Sequence, residues 1–316
     1  GSRHFSRLCL PFHLLFPACN KAISTTANTS MGPRFTFALL FLLSLSGALM
    51  AEEDMSANEI NRQLSNPNTS LARLTFKNQF RWFEGSLPDA DGQRGYELLF
   101  QPSFPIKLGG GNTFFVRPAF PVAFFQPTYD DERGKFTQEL GLGDIGFDVA
   151  YGHSSETGLI LSAGIAGTLP TATRSELGTG KLLLGPEFLV AKMTKKYIIG
   201  FFPNHQWDVA GWGDEDISVT TLQPIAAYLM DNAWSIASSP IATYNWETEE
   251  WTVPINLAVS KTVILGDTPW RFGMEINYYT ERPDAFGPQW MVGINIVPVV
   301  ENVFARFFQK KNQQQH

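Results

Sequence analysis

The sequence predicts an all-β chain closed into a transmembrane, antiparallel, up-and-down β-barrel of about 12 strands. Three observations carry that expectation. Alternating apolar and polar segments of about a dozen residues repeat from residue 71 to residue 300, separated by turn residues, with no sustained helical period. Aromatic residues make up 13% of the chain and charged residues only 17%, while the mean hydropathy is −0.09. A helical membrane protein would be far more apolar, because each span needs about 20 consecutive apolar residues; a barrel wall averages to neutral because alternate residues face lipid. The third observation is a secretion signal near the start.

That signal covers residues 31–51. A short basic start at Met31-Gly-Pro-Arg34 precedes the apolar run 35–45, and small residues follow up to Ala51. The run is too short to span a bilayer and reads as a signal peptide. Residues 1–30 then lie upstream of a start at Met31, as a leader or an artefact. Both cysteines, Cys9 and Cys19, fall there, so the mature chain offers no disulfide, thiol nucleophile or cysteine metal site. It keeps 20 of the 24 Lys and Arg and all 30 Asp and Glu, a net charge of −10, which argues against a nucleic-acid partner.

Residues 52–70 form a polar periplasmic segment with one short helix expected over 55–64. The barrel itself is expected over 71–300 and a tail over 301–316. Its strands read as 71–84, 94–108, 113–126, 143–153, 158–169, 181–193, 197–209, 218–230, 234–247, 251–263, 270–282 and 289–300. Connections alternate between short turns and longer loops, the latter at 85–93, 127–142, 170–180 and 210–217. This is the asymmetry of an outer-membrane barrel, and an even strand number returns both ends to the periplasm.

The two faces separate cleanly in the best strands. In 251–261 one parity is Trp251, Val253, Ile255, Leu257 and Val259, the other Thr252, Pro254, Asn256, Ala258 and Ser260. In 270–281 the apolar row is Trp270, Phe272, Met274, Ile276 and Tyr278. Aromatic caps on an apolar row match a lipid face with interfacial girdles, so Trp234, Trp246, Trp251, Trp270 and Trp290 should face outward. A soluble sandwich would explain the alternation, but not the signal, the absent cysteines and the polar opposite faces together. Ten prolines fall inside strands. Proline removes a ladder donor, so they are expected to mark bulges.

Several stretches carry a resemblance: Glu139-Leu-Gly-Leu-Gly-Asp-Ile145, Leu169-Pro-Thr-Ala-Thr173, Gly178-Thr-Gly-Lys181, Asn204-His-Gln-Trp207 with Ala210-Gly211, Leu222-Gln-Pro224, Tyr244-Asn-Trp-Glu247, Trp251-Thr-Val-Pro-Ile-Asn-Leu257 and Gly287-Pro-Gln-Trp290. In order and spacing they resemble the MetA-pathway phenol-degradation family of outer-membrane proteins, often labelled "neuromedin U", over roughly residues 66–300. The resemblance implies an outer-membrane barrel of a Gram-negative bacterium and a transporter role linked to small aromatic or hydrophobic compounds. It assigns no functional residue. The extension past residue 300 departs from the family pattern.

The polar parity supplies the candidate pore lining: Lys77, Arg81, Glu97, Arg117, Asp148, Glu187, Asn204, Gln206, Gln223, Asn256, Glu275 and Asn277. Such residues either select solutes in an open lumen or fill a narrow one as a stabilising network. Twelve strands lie between side-chain-filled barrels of eight and open porins of about sixteen, so size does not choose. Other motifs read as bland. Residues 170–180 are expected to be a solvated loop rather than one folded into the pore. Gly178–Lys181 lacks the glycine spacing of a phosphate loop. The acidic run 214–216 reads as solvated loop, with a loop calcium site as the alternative. Only His153 and His205 remain in the barrel, no metal is expected, and Ser154 and Ser155 beside His153 do not make a dyad; the chain is expected not to be an enzyme. The functional expectation is a passive channel for small, aromatic or hydrophobic solutes, needing no cofactor and contacting membrane lipid. The alternative is a plugged barrel whose outer loops, with Trp212 and Phe286 near their tips, bind a partner.

Overall fold

The computed structural model describes residues 55–302 together with a two-residue pairing of Pro11–Phe12 with Phe16–Pro17. The signal peptide and most of the tail lie outside the described residues. The barrel has twelve antiparallel strands, several interrupted once. They are β1 Arg73–Glu84, β2 Arg94–Ser103 continued by Ile106–Gly109, β3 Asn112–Asp130, β4 Lys135–Leu142 and Ile145–Ser154, β5 Leu159–Leu169, and β6 Lys181–Met193. The second half is β7 Tyr197–Phe201 and Asn204–Gly211, β8 Ser218–Leu222 and Pro224–Leu229, β9 Trp234–Ser238 and Ala242–Asn245, β10 Glu250–Leu265, β11 Thr268–Glu281, and β12 Gly287–Pro298. Each strand pairs with its sequence neighbours, and β12 closes on β1 from Gly287↔Glu84 to Ile296↔Phe76. Closure removes the sheet edges that a membrane does not tolerate.

The outer face is apolar because the period-2 alternation of the sequence meets a wall whose side chains also alternate. Ile255 and Met274 are 64% and 62% exposed, whereas Asn256 and Asn277 on the opposite parity are buried. Trp82, Trp207, Trp246, Trp251 and Trp290 ring one end of this belt. Tyr197, Tyr228 and Trp234 stand at the other, all exposed, with Trp270 partly covered beside Phe272. Among the described residues no helix is long and apolar enough to cross a membrane.

Tight turns close the periplasmic end. At 155–158 the backbone turns at Gly158, whose φ of +86 and close approach to the Met193 carbonyl oxygen leave no room for a Cβ. The outer end corrects the sequence reading. Residues 127–142, expected as a loop, extend β3 and β4 as a hairpin that turns at 131–134. Thr128 and Thr137 meet across it at 3.1 Å and the rings of Tyr129 and Phe136 at 5.0 Å. These cross-strand pairs stabilise strand where the hydropathy pattern alone is weak.

The prolines also divide. Register shifts occur at Val253/Pro254 and Pro288/Trp290, as bulges. Pro102, Pro118, Pro121 and Pro186 instead sit within unshifted register. Pro203, Pro224 and Pro240 fall at or beside strand interruptions.

Before the barrel, α1 (Ala57–Ser65) starts at Ser56, whose hydroxyl accepts from the Glu59 amide at 3.3 Å. The Arg62 guanidinium, 2.7 Å from Glu59, holds that carboxyl below the ordinary carboxylate range against a smaller opposing effect of burial. Ile60 and Leu64 pack with Leu71, Met55 and Val299 at the periplasmic end.

Candidate functional site in the barrel lumen

All twelve polar-parity candidates point to the barrel interior. Cross-strand register places Gln79 opposite Glu97, Arg117 opposite Asp148, Glu187 opposite Asn204, and Asn256 opposite Asn277. These side chains sort into two groups on facing walls.

On β3 to β7 the group is ionic. Arg117 Nε donates to Asp148 Oδ1 at 2.7 Å, and Arg117 Nη2 lies 3.9 Å from Glu187 Oε1. The guanidinium also stands over the rings of Phe115 and Phe202, 5.2 and 5.8 Å from their centroids. One cation therefore serves two carboxylates. Asn204 flanks Glu187 in register, and Gln206 accepts from Thr168 Oγ1 at 3.1 Å. Apolar side chains line the wall below: Ile160, Leu189 and Ala191 pack with Phe202 and Ile225.

On β8 to β11 the group is mostly amide. Gln223 Nε2 donates to Ser239 Oγ at 2.9 Å, the Ser239 amide donates to Asn256 Oδ1 at 2.8 Å, and Asn256 Nδ2 donates to Asn277 Oδ1 at 3.0 Å. Next to it Arg81 lies 3.7 Å from Glu97 and bonds Gln79. Glu275 accepts from Asn295 Nδ2 at 3.4 Å, and Lys77 stands opposite Asn295 and Leu99.

Two segments narrow the lumen, and the first was missed. Asn61 of α1 accepts from Thr262 Oγ1 of β10 at 3.0 Å and from Arg271 of β11, which also bonds the Asn61 carbonyl and Ser65 Oγ; Asn61 Nδ2 donates to the Trp234 carbonyl. Seven residues on, Asn68 Nδ2 donates to Ser154 Oγ of β4 at 2.7 Å. Strands β4 and β10 stand six places apart in the ring of twelve, so this segment crosses the periplasmic mouth along a diameter. Arg271 is the one cation at that level on the polar parity of β11, the signal that would have found the contact.

The second is the 170–180 loop, expected to be solvated. Asp144 instead pins it inside: Oδ1 accepts from the Ala172 amide at 2.9 Å, and Oδ2 from the Thr179 amide at 2.7 Å and Thr179 Oγ1 at 3.1 Å. Leu177, fully buried, packs on Ala123, an inward residue of β3. A carboxylate satisfied by backbone amides orders a loop that hydropathy marks as solvent-facing. Lys181 pairs with Asp208 at 3.1 Å and is not a phosphate-loop lysine. Phe286, expected at a loop tip, is buried and stacks on Phe83 at 4.9 Å, while Trp212 is 74% exposed. Among the described residues no group of three or more His, Cys, Asp or Glu is placed to hold a metal.

No family model matches the chain, and no curated protein matches it in sequence. Solved structures do match. One is the COG4313 outer membrane channel from Pseudomonas putida F1, with 13% identity and a TM-score of 0.57 over 72% of this chain and 95% of that one. The NanC porin aligns over 72% of this chain and 99% of its own at 11% identity and a TM-score of 0.46. Outer membrane phospholipase A from Escherichia coli aligns over 78% and 98% at 12% identity and a TM-score of 0.40. The chain thus has the fold of an outer-membrane β-barrel with twelve strands.

The last of these corrects the expectation that the chain is not an enzyme. An enzyme, outer membrane phospholipase A, is among the solved structures the chain is similar to, and the exclusion is withdrawn. Its physical weakness is visible too. The sequence reading looked for chemistry in the lumen and the loops, whereas side chains also meet on the outer wall. There His205 Nδ1 lies 2.7 Å from Thr220 Oγ1 and Nε2 lies 3.5 Å from Ser218 Oγ, with Trp246 Nε1 donating to the same threonine at 2.8 Å. His153 pairs with Asn112 at 2.8 Å and not with its neighbouring serines.

Proposed function

We propose that this protein is an outer-membrane channel that passes small solutes through the barrel lumen, with aromatic or hydrophobic compounds as the class. The observation that carries it is the inward polar set. Lys77, Arg81, Glu97, Arg117, Asp148, Glu187, Asn204, Gln206, Gln223, Asn256, Glu275 and Asn277 line one continuous interior beside an apolar track through Phe202, Ile225 and Leu189. The same interior suits solutes with an apolar body and one polar group: the apolar track covers the body and the amide and carboxylate groups meet the polar atom. Fold likeness to an outer membrane channel supports the reading.

A second reading rests on α1, which crosses the periplasmic mouth. On that reading the barrel is plugged and structural. Planar-bilayer conductance of the purified mature protein separates the two. Discrete conducting steps support the channel. Silence both in the native barrel and after Arg271→Met, which loosens α1, leaves the plugged reading standing and removes the channel.

A further inference from the structure

The ladder is broken over two residues in β4 and in β7, at 143–144 and 202–203, and over three in β9. Strands β8 and β9 keep one register from Val219↔Asn245 to Leu222↔Ala242 and again from Ala226↔Ser238 to Leu229↔Ser235. Between these stretches that register sets Pro224 opposite Pro240, two residues that lack the amide hydrogen a ladder needs. On its other side, β9 pairs with β10 only at 234–237 and 243–245, leaving 238–242 opposite 253–257, where Pro254 stands. Residues 239–241 therefore belong to no ladder pair on either side.

The gap lies in the middle of the membrane. Pro240 is six residues from Trp234 of the inner girdle and six from Trp246 of the outer one. Hydrocarbon offers backbone groups no partner, and irregular backbone at this depth is tolerated only where it borders protein or a cavity. Here lumen side chains take over from the ladder: Gln223 on the Ser239 hydroxyl and Asn256 on the Ser239 amide. Side-chain bonds of this kind open singly, without unzipping a strand. Ile225 of the apolar lumen track and Ile241, on the inward parity and 36% exposed, lead up to the gap from inside; the exposed Ile255 lies outside it. Below it, α1 and the 66–68 segment cross the axial exit.

We infer that the β8–β9–β10 seam is a lateral portal through which apolar solutes leave the lumen for the bilayer core; the inference rests on the channel reading above. Because no cysteine follows Cys19, a staple can be placed cleanly. Pro224→Cys with Pro240→Cys puts two thiols on directly opposed residues, a separation that suits a disulfide. The probe is phenylnaphthylamine, which fluoresces on reaching hydrocarbon, added to intact cells carrying the native or the stapled barrel. Oxidation should bring dye entry in the double variant down to the level of cells lacking the protein. Reductant should restore it, the single-cysteine variants should not respond, and bilayer conductance of the oxidised protein should hold at its reduced value. Dye entry that ignores the staple, or that falls together with conductance, overturns the portal and leaves an axial channel. A native barrel that neither conducts nor admits dye overturns the channel reading itself. Should the double variant fail to insert, hydrogen exchange of the native protein in lipid decides: amides of 238–242 and 253–257 should exchange faster than those of 226–229 and 258–261, and equal protection overturns the portal.

Discussion

The wall from β3 to β6 and the wall from β8 to β10 are written in the same alternation and closed by different means. The first has an uninterrupted ladder from β4 through β5 to β6 and concentrates its interior on one guanidinium between two carboxylates. The second gives up ladder pairs over 239–241 and fills its interior with amides. An ion cluster in low dielectric fails when one member goes, whereas amide contacts are lost one at a time. The first wall is thus the rigid side of the barrel and the second the compliant one.

The largest test of that contrast is Arg117→Met. It leaves Asp148 and Glu187 buried without their cation, and breaking a buried pair costs about 3–5 kcal/mol. Urea unfolding in detergent should show a loss of that size, and surviving channels should gain cation preference in a salt gradient. A loss below that of Asn256→Ala would erase the distinction between the walls. Arg271→Met comes next. It removes charge-assisted bonds to Asn61 and Ser65, each worth about 1.5–3 kcal/mol. Here conductance is the sharper readout, and it should rise as α1 leaves the mouth. On the compliant wall, Asn256→Ala should cost about 1–3 kcal/mol, the cost of leaving a buried polar partner unmet. Its hydrogen-exchange effect should stay local to 238–257; protection lost around the whole barrel would make the two walls one cooperative unit. Smallest of all is Lys77→Gln, which should move stability by no more than about 0.5 kcal/mol while shifting reversal potential toward cations.

How far the molecule was legible differs between its parts. Trp251 to Val259 and Trp270 to Tyr278 declare their outward face because period-2 alternation is local and the lipid face demands apolar side chains at every second position. Helix α1 was legible as a helix within two residues at its start, but not as a crossbar. Nothing near Asn61 or Asn68 in sequence points to Thr262 or Ser154. The 170–180 loop failed for a similar reason: Asp144, which orders it, lies more than 25 residues away. The strand prolines were visible one by one. Their meaning depended on which of them face each other, and Pro224 faces Pro240 only once the hairpin register is known.

Sequence alone therefore determined the barrel, its strand count and which side chains face lipid, because each follows from a period of two residues and a bilayer of given thickness. Tertiary structure decided which inward charges meet, what crosses the mouth and where the wall is left unladdered. Those depend on register around a closed ring, where residues far apart in the chain become neighbours and a shift of one position would exchange every partner.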